Sequence, residues 1–336
     1  MASNPAVTAS DMVNYVQTNF WDTYRLEEAG ADARLSEVME VGLPSTRRIE
    51  KYGYWESAPY LRRVDRGRTT PSKNIRSRTF QAENFEWKVR TEWHRTDRRD
   101  DQTKSIVDAA REVGEHAGAH KERLFFQTIQ GATDTDLLES IPNAPDGAAL
   151  FNATDGDGAN RFGVSGGNTF AGVAGPTAQG VRADYFKAMG RFRRFQNTEG
   201  QPLWSEGVMD KGTVVIFNPL YLQVFAEAFE QRVNMDSANT STSNAGVSNV
   251  ILDSKVAGGG GVRLWATQRM TGTTWAIFLR GAKKKAAFEQ VREPVYEVMA
   301  TEDNSDTARD TGVEYVQWSM SGTVRTGPAY GAISIT

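Results

Sequence analysis

The chain contains no cysteine. That excludes a disulfide framework, a thiolate metal site and a cysteine nucleophile. Histidine is nearly as scarce, with three residues in 336, so few general bases of the usual kind are available. No run approaches the ~18 consecutive apolar residues that a membrane helix needs. The N-terminal MASNPAVTASDMVNYV lacks the basic stretch followed by an apolar core that marks a signal peptide. Positive charge is not in excess either: the formal net charge is -3, whereas a general nucleic-acid binder is usually basic. Hydrophobic residues make up 39% and charged residues 24%, the balance of a folded chain long enough to bury a core without staples.

Known catalytic and binding patterns are also missing. His116 and His120 lie one helical turn apart, a spacing that can bind zinc. Alanine follows His116 where the metalloprotease pattern needs glutamate, so surface or packing histidines are the better reading. His94 falls on the polar side of a strand, facing solvent or a partner. Asn152, Asp155, Asp157 and Asn160 hint at calcium, but the twelfth position from Asp155 is Gly166 rather than glutamate, so a turn fits better. The glycines at 258–261 precede Val262, not the Lys-Ser/Thr of a phosphate loop. No serine elbow occurs. The sequence thus offers no catalytic residue, no cofactor site and no metal site. A carboxylate enzyme stays open on this ground, since 42 Asp and Glu supply many chance pairs.

What is present is an unusual order of elements in an α+β chain. The apolar spacing of Val13, Val16, Phe20 and Tyr24 predicts a helix from about Asp11 to Ala29, capped by Ser10 or Asp11 and stopped by Gly30. An isolated helix of this kind needs something to pack against. From Arg47 to Arg99 the chain is dense in aromatics and arginine. In FEWKVRTEWHR, residues 85–95, Phe85, Trp87, Val89, Thr91 and Trp93 alternate with Glu86, Lys88, Arg90, Glu92 and His94, which predicts a strand. Tyr52 to Val64 could be its hairpin partner, with the polar RGRTTPSKN as tip. Such a hairpin is marginal alone and calls for another surface, possibly a neighbouring subunit.

The strongest helix signal covers Asp101 to Gln130, with Ile106, Ala110, Val113, Ala117, His120 and Leu124 in one core-facing stripe. Thirty residues would make a rod of roughly 45 Å. Gly114 and Gly118 cost ~1 kcal/mol each inside it, which suggests close approach of a second backbone. Residues 133–179 and 232–249 read as loops. Between and after them come a helix at about Arg182–Gln196, a buried strand at Thr213–Phe217, and a helix capped by Asn218 with Pro219 at its first position. VAGGGGVRLWATQRMTGTTWAIFLR reads as two strands. Two long extended runs close the chain, Ala286–Met299 and Val313–Arg325, the second with Val316, Trp318, Met320 and Val324 on one face.

Two charge blocks stand out. From Tyr60 to Phe80, Arg62, Arg63, Arg66, Arg68, Lys73, Arg76 and Arg78 face a single acid, Asp65. From Glu293 to Glu314, Glu293, Glu297, Glu302, Asp303, Asp306, Asp310 and Glu314 face a single base, Arg309. Opposite blocks on distant segments can pair between copies, setting rate and register. They can equally be solvated faces.

The order N-terminal arm, long hairpin, long helix, Gly-rich mixed unit and two long C-terminal strands resembles the major capsid proteins of tailed bacteriophages, with their Hong Kong 97-like fold, in the branch of the Mu-like prophage major head subunit. TDRRDDQTKSIVDAAREV, VVIFNPLYLQVFAEAF, and TTWAIFLRGAKKKAAFEQVREPVYEV with YGAISI carry the resemblance. It implies an N-terminal arm over 1–46, an extended loop overlapping a neighbour over 47–98, a peripheral domain with a spine helix over 99–135, an axial domain over 136–284 and peripheral C-terminal strands over 285–336. It implies pentamers and hexamers in a closed icosahedral shell around double-stranded DNA contacted non-specifically, assembly in the host cytoplasm, no membrane, and possible scaffolding, portal and cement proteins. No long helical scaffold region precedes the arm, so any scaffold would be a separate protein. The competing readings are an encapsulin-like compartment shell and a carboxylate or metal hydrolase.

Overall fold

The computed structural model describes residues 8–55, 77–100, 105–130, 144–173, 175–197, 199–229, 233–234, 247–248, 261–282 and 284–336. The first helix, α1 (Ala9–Leu35), starts two residues earlier than its apolar spacing predicts and runs straight through Gly30. Thr8 caps it, its hydroxyl accepting from the Asp11 amide at 3.1 Å. Gly30 does not stop it because the buried positions continue to Ala31 and Leu35, and tertiary burial outweighs the helix cost of one glycine.

Two strands follow, β1 (Met39–Pro44) and β2 (Ile49–Trp55), then β3 (Ser77–Glu83) and β4 (Phe85–His94). The hairpin exists with a different pairing from the one the sequence suggested. β2 pairs antiparallel with β3, from Ile49↔Glu83 to Trp55↔Ser77. The tip proposed for it lies outside the described residues. β4 instead pairs with β12 (Val313–Thr326), from Val313↔His94 to Gly322↔Phe85. Its side chains alternate between the more and the less buried face as the sequence predicts, but alternation fixes which face is buried and says nothing about which strand lies alongside.

The long rod is divided into α2 (Arg95–Asp100), α3 (Ser105–Gly118) and α4 (His120–Gln130), with a turn at Ala119 between the last two. Residues 101–104, inside the expected rod, lie outside the described residues. β12 also pairs with β11 (Ala287–Ala300), and β1 runs parallel to the start of β11, giving the sheet order β1-β11-β12-β4.

The second sheet has the order β5-β13-β10-β6-β9, built from β5 (Thr169–Phe170), β6 (Thr213–Phe217), β9 (Val262–Ala266), β10 (Trp275–Leu279) and β13 (Ala332–Ile335). β6, β10 and β13 are buried at every residue, the mark of a sheet covered on both faces. One face, with Val215, Phe217, Ile277 and Ile333, packs on α5 (Ala178–Arg194) and α7 (Leu222–Phe229). The other, with Val214, Ile216, Ala276 and Phe278, packs on Phe125 and Phe126 of α4 and on Leu35. The strand–proline–helix unit is as expected: the Asn218 side chain accepts from the Leu220 amide at 2.9 Å, and Pro219 opens a short 3-10 turn before α7. Four further short elements are α6 (Glu206–Met209), the paired β7 (Val233–Asn234) and β8 (Val247–Ser248), and α8 (Asp306–Thr311).

The loop at 144–173 is more than a surface excursion. Arg161 is fully buried there, pairing with Asp146 at 2.6 Å and donating to the Ala149 and Leu150 carbonyls. Asp155 forms a turn, its carboxylate accepting from the amides of Asp157 and Ala159.

Candidate assembly surfaces

The N-terminal helix finds its partner in its own chain. A third apolar cluster joins Val13, Val16 and Phe20 of α1 to Ile106 and Ala110 of α3, and to Trp93, Val316 and Trp318 of the sheet. Phe20 stacks on Trp318 with ring centroids 3.9 Å apart. The two spine glycines make this possible. A Cβ on Gly114 would lie 2.7 Å from the Phe20 carbonyl oxygen, and one on Gly118 would lie 2.8 Å from that of Tyr24. The expectation of a close backbone neighbour holds. The N-terminal helix's need for something to pack against is met within the same chain.

A polar cluster locks the C-terminal half of α1. Lys121 of α4 is buried and sits 2.6 Å from Asp32, 3.4 Å from Glu28 and 3.6 Å from Glu289 of β11. Burial alone would push the Lys121 ammonium down; Glu289 and Asp32 more than reverse this and hold it above its ordinary range. Burial raises Glu289 above the usual carboxylate range against the opposing pull of Lys121, while the Gly42 amide donates to it at 3.0 Å. Burial and a hydrogen bond to Glu28 also raise the Tyr24 phenol. Beside this cluster, Glu122 pairs with Arg34 at 2.7 Å and with Arg269 at 3.6 Å.

The acidic block divides into two classes. Glu314 is completely buried, takes a hydrogen bond from the Trp93 indole at 2.9 Å and lies 3.3 Å from the buried Arg98. Glu302 pairs with the same Arg98 at 2.8 Å. Glu297 accepts from Gln17 and from the Trp21 indole of α1 at 2.8 and 3.0 Å. These three acids serve the fold of their own subunit. Glu293, Asp303, Asp306 and Asp310 are exposed, with Asp306 paired to Arg309 across one turn of α8 at 3.1 Å. Of the basic block, Arg62, Arg63, Arg66, Arg68, Lys73 and Arg76 lie outside the described residues, and Arg78 is placed only as a β3 residue opposite Tyr54.

The base of the hairpin leans on β11. Tyr52 donates to the Gln290 side chain at 2.8 Å, and its ring and that of Phe80 lie edge-on to Phe288 at 5.1 and 5.9 Å. A cavity of about 470 Å³ opens between α3–α4 and the sheet, lined by Trp87, Val113, His116, His120, Trp318 and Met320 among others. Glu86 is the carboxylate among its lining residues. His120 meets Trp87 edge-on with ring centroids 4.5 Å apart and His116 is exposed, so the two histidines of the suggestive spacing do different things. His94 bonds Thr96 at 2.7 Å. Among the described residues, no helix is long and apolar enough to cross a membrane, and no three acids or histidines gather as a metal site.

The signal for Arg98 was present but masked: it sits in the charged run TDRRDD, where nothing distinguishes a buried arginine from its solvated neighbours. Lys121 was hidden in the same way within HKER.

Comparison with known proteins agrees with this architecture. Residues 12–154 match the family model of the Mu-like prophage major head subunit gpT. No curated protein sequence matches the chain. Among solved structures, the chain is similar to the capsid of the cyanophage P-SCSP1u at a TM-score of 0.57 and 10% identity, covering 88% of this chain and 85% of that one. It is similar to the capsid of the Myoviridae phage XM1 at 0.53 and 11% identity, covering 91% of each. The mature capsid of bacteriophage PhiM1 gives 0.53 at 10% identity, over 89% of this chain and 85% of that one. At these identities the likeness is one of fold.

Proposed function

We infer that this chain, with the Hong Kong 97-like fold of phage head shells and a match to the Mu-like major head subunit across its arm, hairpin and spine, is a major capsid protein that self-assembles into a phage head. The observation that carries this reading is that sequence match lying on the very elements, α1 through α4, that give the fold its elongated half. Its role is structural. The copies close into an icosahedral shell of pentamers and hexamers around double-stranded DNA, assembled in the host cytoplasm.

The first sheet with α1–α4 and the C-terminal strands forms the peripheral domain, with the arm over 1–46 and the spine within 99–135. The axial domain over 136–284 holds α5, α7 and four strands of the second sheet, whose remaining strand, β13, comes from the C-terminal segment 285–336; there neighbours meet around the five- and six-fold axes. The extended loop over 47–98 reaches a neighbour, and its basic residues Arg62, Arg63 and Arg66 meet the exposed acids Glu293, Asp303, Asp306 and Asp310 there. A head-to-tail contact of this kind is heterologous and generates rings and shells rather than dimers. What supports it is the charge pattern, with Glu297, Glu302 and Glu314 now assigned to the subunit's own interior. Scaffolding, portal and cement proteins would act as separate partners.

Electron microscopy of the overexpressed, purified chain tests this reading. Closed particles are expected, enclosing nucleic acid when made with the packaging machinery. Enclosed cargo protein in place of DNA would favour a compartment shell, and a stable monodisperse monomer would overturn the shell reading.

A further inference from the structure

Strands β6, β9 and β10 come together at one rim of the second sheet. Thr213, the first residue of β6, pairs with Leu279, the last of β10, and with Val262, the first of β9. The chain around these positions is basic. Lys211 precedes β6, Arg263 follows Val262, and Arg280, Lys284 and Lys285 follow β10. The connections pack on one another. The Arg280 amide donates to the Gly212 carbonyl at 3.1 Å, and a Cβ on Gly281 would lie 3.0 Å from Cβ and Cδ of Lys211. The Lys285 ammonium donates to the carbonyls of Glu37 and Arg280 at 2.8 Å each.

The charge gathered here is not balanced. The acids on these segments are Glu37 and Asp210, so five cations leave three positive charges in excess on a chain whose formal net charge is -3. Glu37 pairs with both Arg263 and Arg280, the second at 3.5 Å, and holds the two guanidiniums side by side while both stay partly exposed. Lys211 and Lys284 are exposed. Burial lowers the Lys285 ammonium below its ordinary range; Glu37 opposes this, and Arg280 and Lys211 add to it by repulsion. A stable protein contact buries an apolar core. Among the described residues, none of the exposed large hydrophobic side chains lies on these segments. A phosphodiester chain needs no such core, because lysine and arginine hold it by charge.

We propose that Lys211, Arg263, Arg280, Lys284 and Lys285 form a patch that binds the phosphate backbone of double-stranded DNA. Contacts of this kind neutralise phosphates, release counterions and weaken steeply as salt is added. They fix position on the duplex and carry no base information. The inference rests on the shell reading for the source of the DNA, and it deepens that reading by naming the residues that meet the contents.

The test is the binding of a short fluorescent DNA duplex of mixed sequence to the purified full chain, kept below its assembly concentration and followed by anisotropy between ~50 and ~200 mM salt. One variant combines Lys211→Gln, Arg263→Gln and Lys284→Gln. A control combines Lys88→Gln, Arg111→Gln and Arg309→Gln, which are also exposed, lie in the other half of the molecule and remove the same charge. The patch variant should bind about tenfold more weakly at the lower salt and lose about 3 from the slope of log affinity against log salt, about one for each phosphate contact. The control should stay close to the unaltered chain. Equal losses in the two variants, or an unchanged slope in the patch variant, overturn the patch. So does polyglutamate that displaces the duplex as well as unlabelled DNA does, since the partner is then an acidic protein. The patch variant should still close into particles under the electron microscope; a variant that is folded by circular dichroism yet fails to close makes this surface a subunit contact and overturns the proposal. Binding lost only in the patch variant, by a chain that never closes into particles, keeps the patch and removes the shell reading.

Discussion

At the scale of single residues, Gly114 and Gly118 show how a helix-breaking choice becomes a packing device. In isolation each disfavours the spine helix; in place, each lets α1 lie where a methyl group would meet backbone atoms under 3 Å away. Gly114→Ala and Gly118→Ala should therefore destabilise the subunit by about 1–3 kcal/mol through overpacking, despite a helix-propensity gain of ~1 kcal/mol. Gly190→Ala in α5, where nothing stands within 4 Å, should leave stability unchanged or improve it. Denaturant unfolding of the three variants decides this, and equal behaviour at all three sites would refute the packing argument. The spacing of the two spine glycines was readable in the sequence. The identity of the element they admit was not, because a glycine pair announces a close neighbour without naming it.

At the scale of elements, the sequence was most informative where one period dominates. β4, β6, β12 and the Asn218-Pro219 cap were legible because alternation, full burial and capping chemistry each act locally. Strand partners were not. β4 lies against a strand more than two hundred residues away, a choice made by the apolar face it shares with Val316 and Trp318. Nor was the polar lock on α1 visible, since Glu28, Asp32, Lys121 and Glu289 come from three separate elements. In that lock Lys121 is held above its ordinary range, so its contribution to stability is complete below the ordinary lysine range and lost as pH rises through the raised value. Glu289 is raised as well, so the folded state holds its proton more tightly and stability falls as pH rises from the ordinary carboxylate range through the raised value. Replacing Lys121 by methionine leaves three carboxylates facing one another and should cost about 3–5 kcal/mol at neutral pH. Lowering the pH into the carboxylate range should recover part of the loss, because protonation relieves the repulsion. Thermal melts at pH 7 and pH 5 measure the difference; a pH-independent loss would mean that packing, not charge, is responsible.

At the scale of the whole molecule, the charge blocks set an expectation for kinetics. Complementary patches chiefly raise association rates, and their effect is screened over about 10 Å at 0.1 M salt. Reversing Arg62, Arg63 and Arg66 to glutamate together should slow particle formation several-fold at low ionic strength, with the difference shrinking as salt is added. Light scattering during assembly reads this directly, and unchanged kinetics at low salt would count against the loop contact. Folding alone has already consumed three of the seven acids that the sequence placed in the complementary block, a division that burial reveals and composition conceals.

β12 spans fourteen residues, roughly 45 Å of extended chain, and its two ends lie in different apolar clusters. Val316 and Trp318 grip the arm and spine, while Val324 sits with the residues that floor the other sheet. Such a strand works as a tie rod. Tension applied where the arm is seated would be carried as stretch along a hydrogen-bonded ladder, a stiff path, and delivered to the far half of the molecule. A load on either half would then be shared along the length of the chain instead of concentrating at a loop.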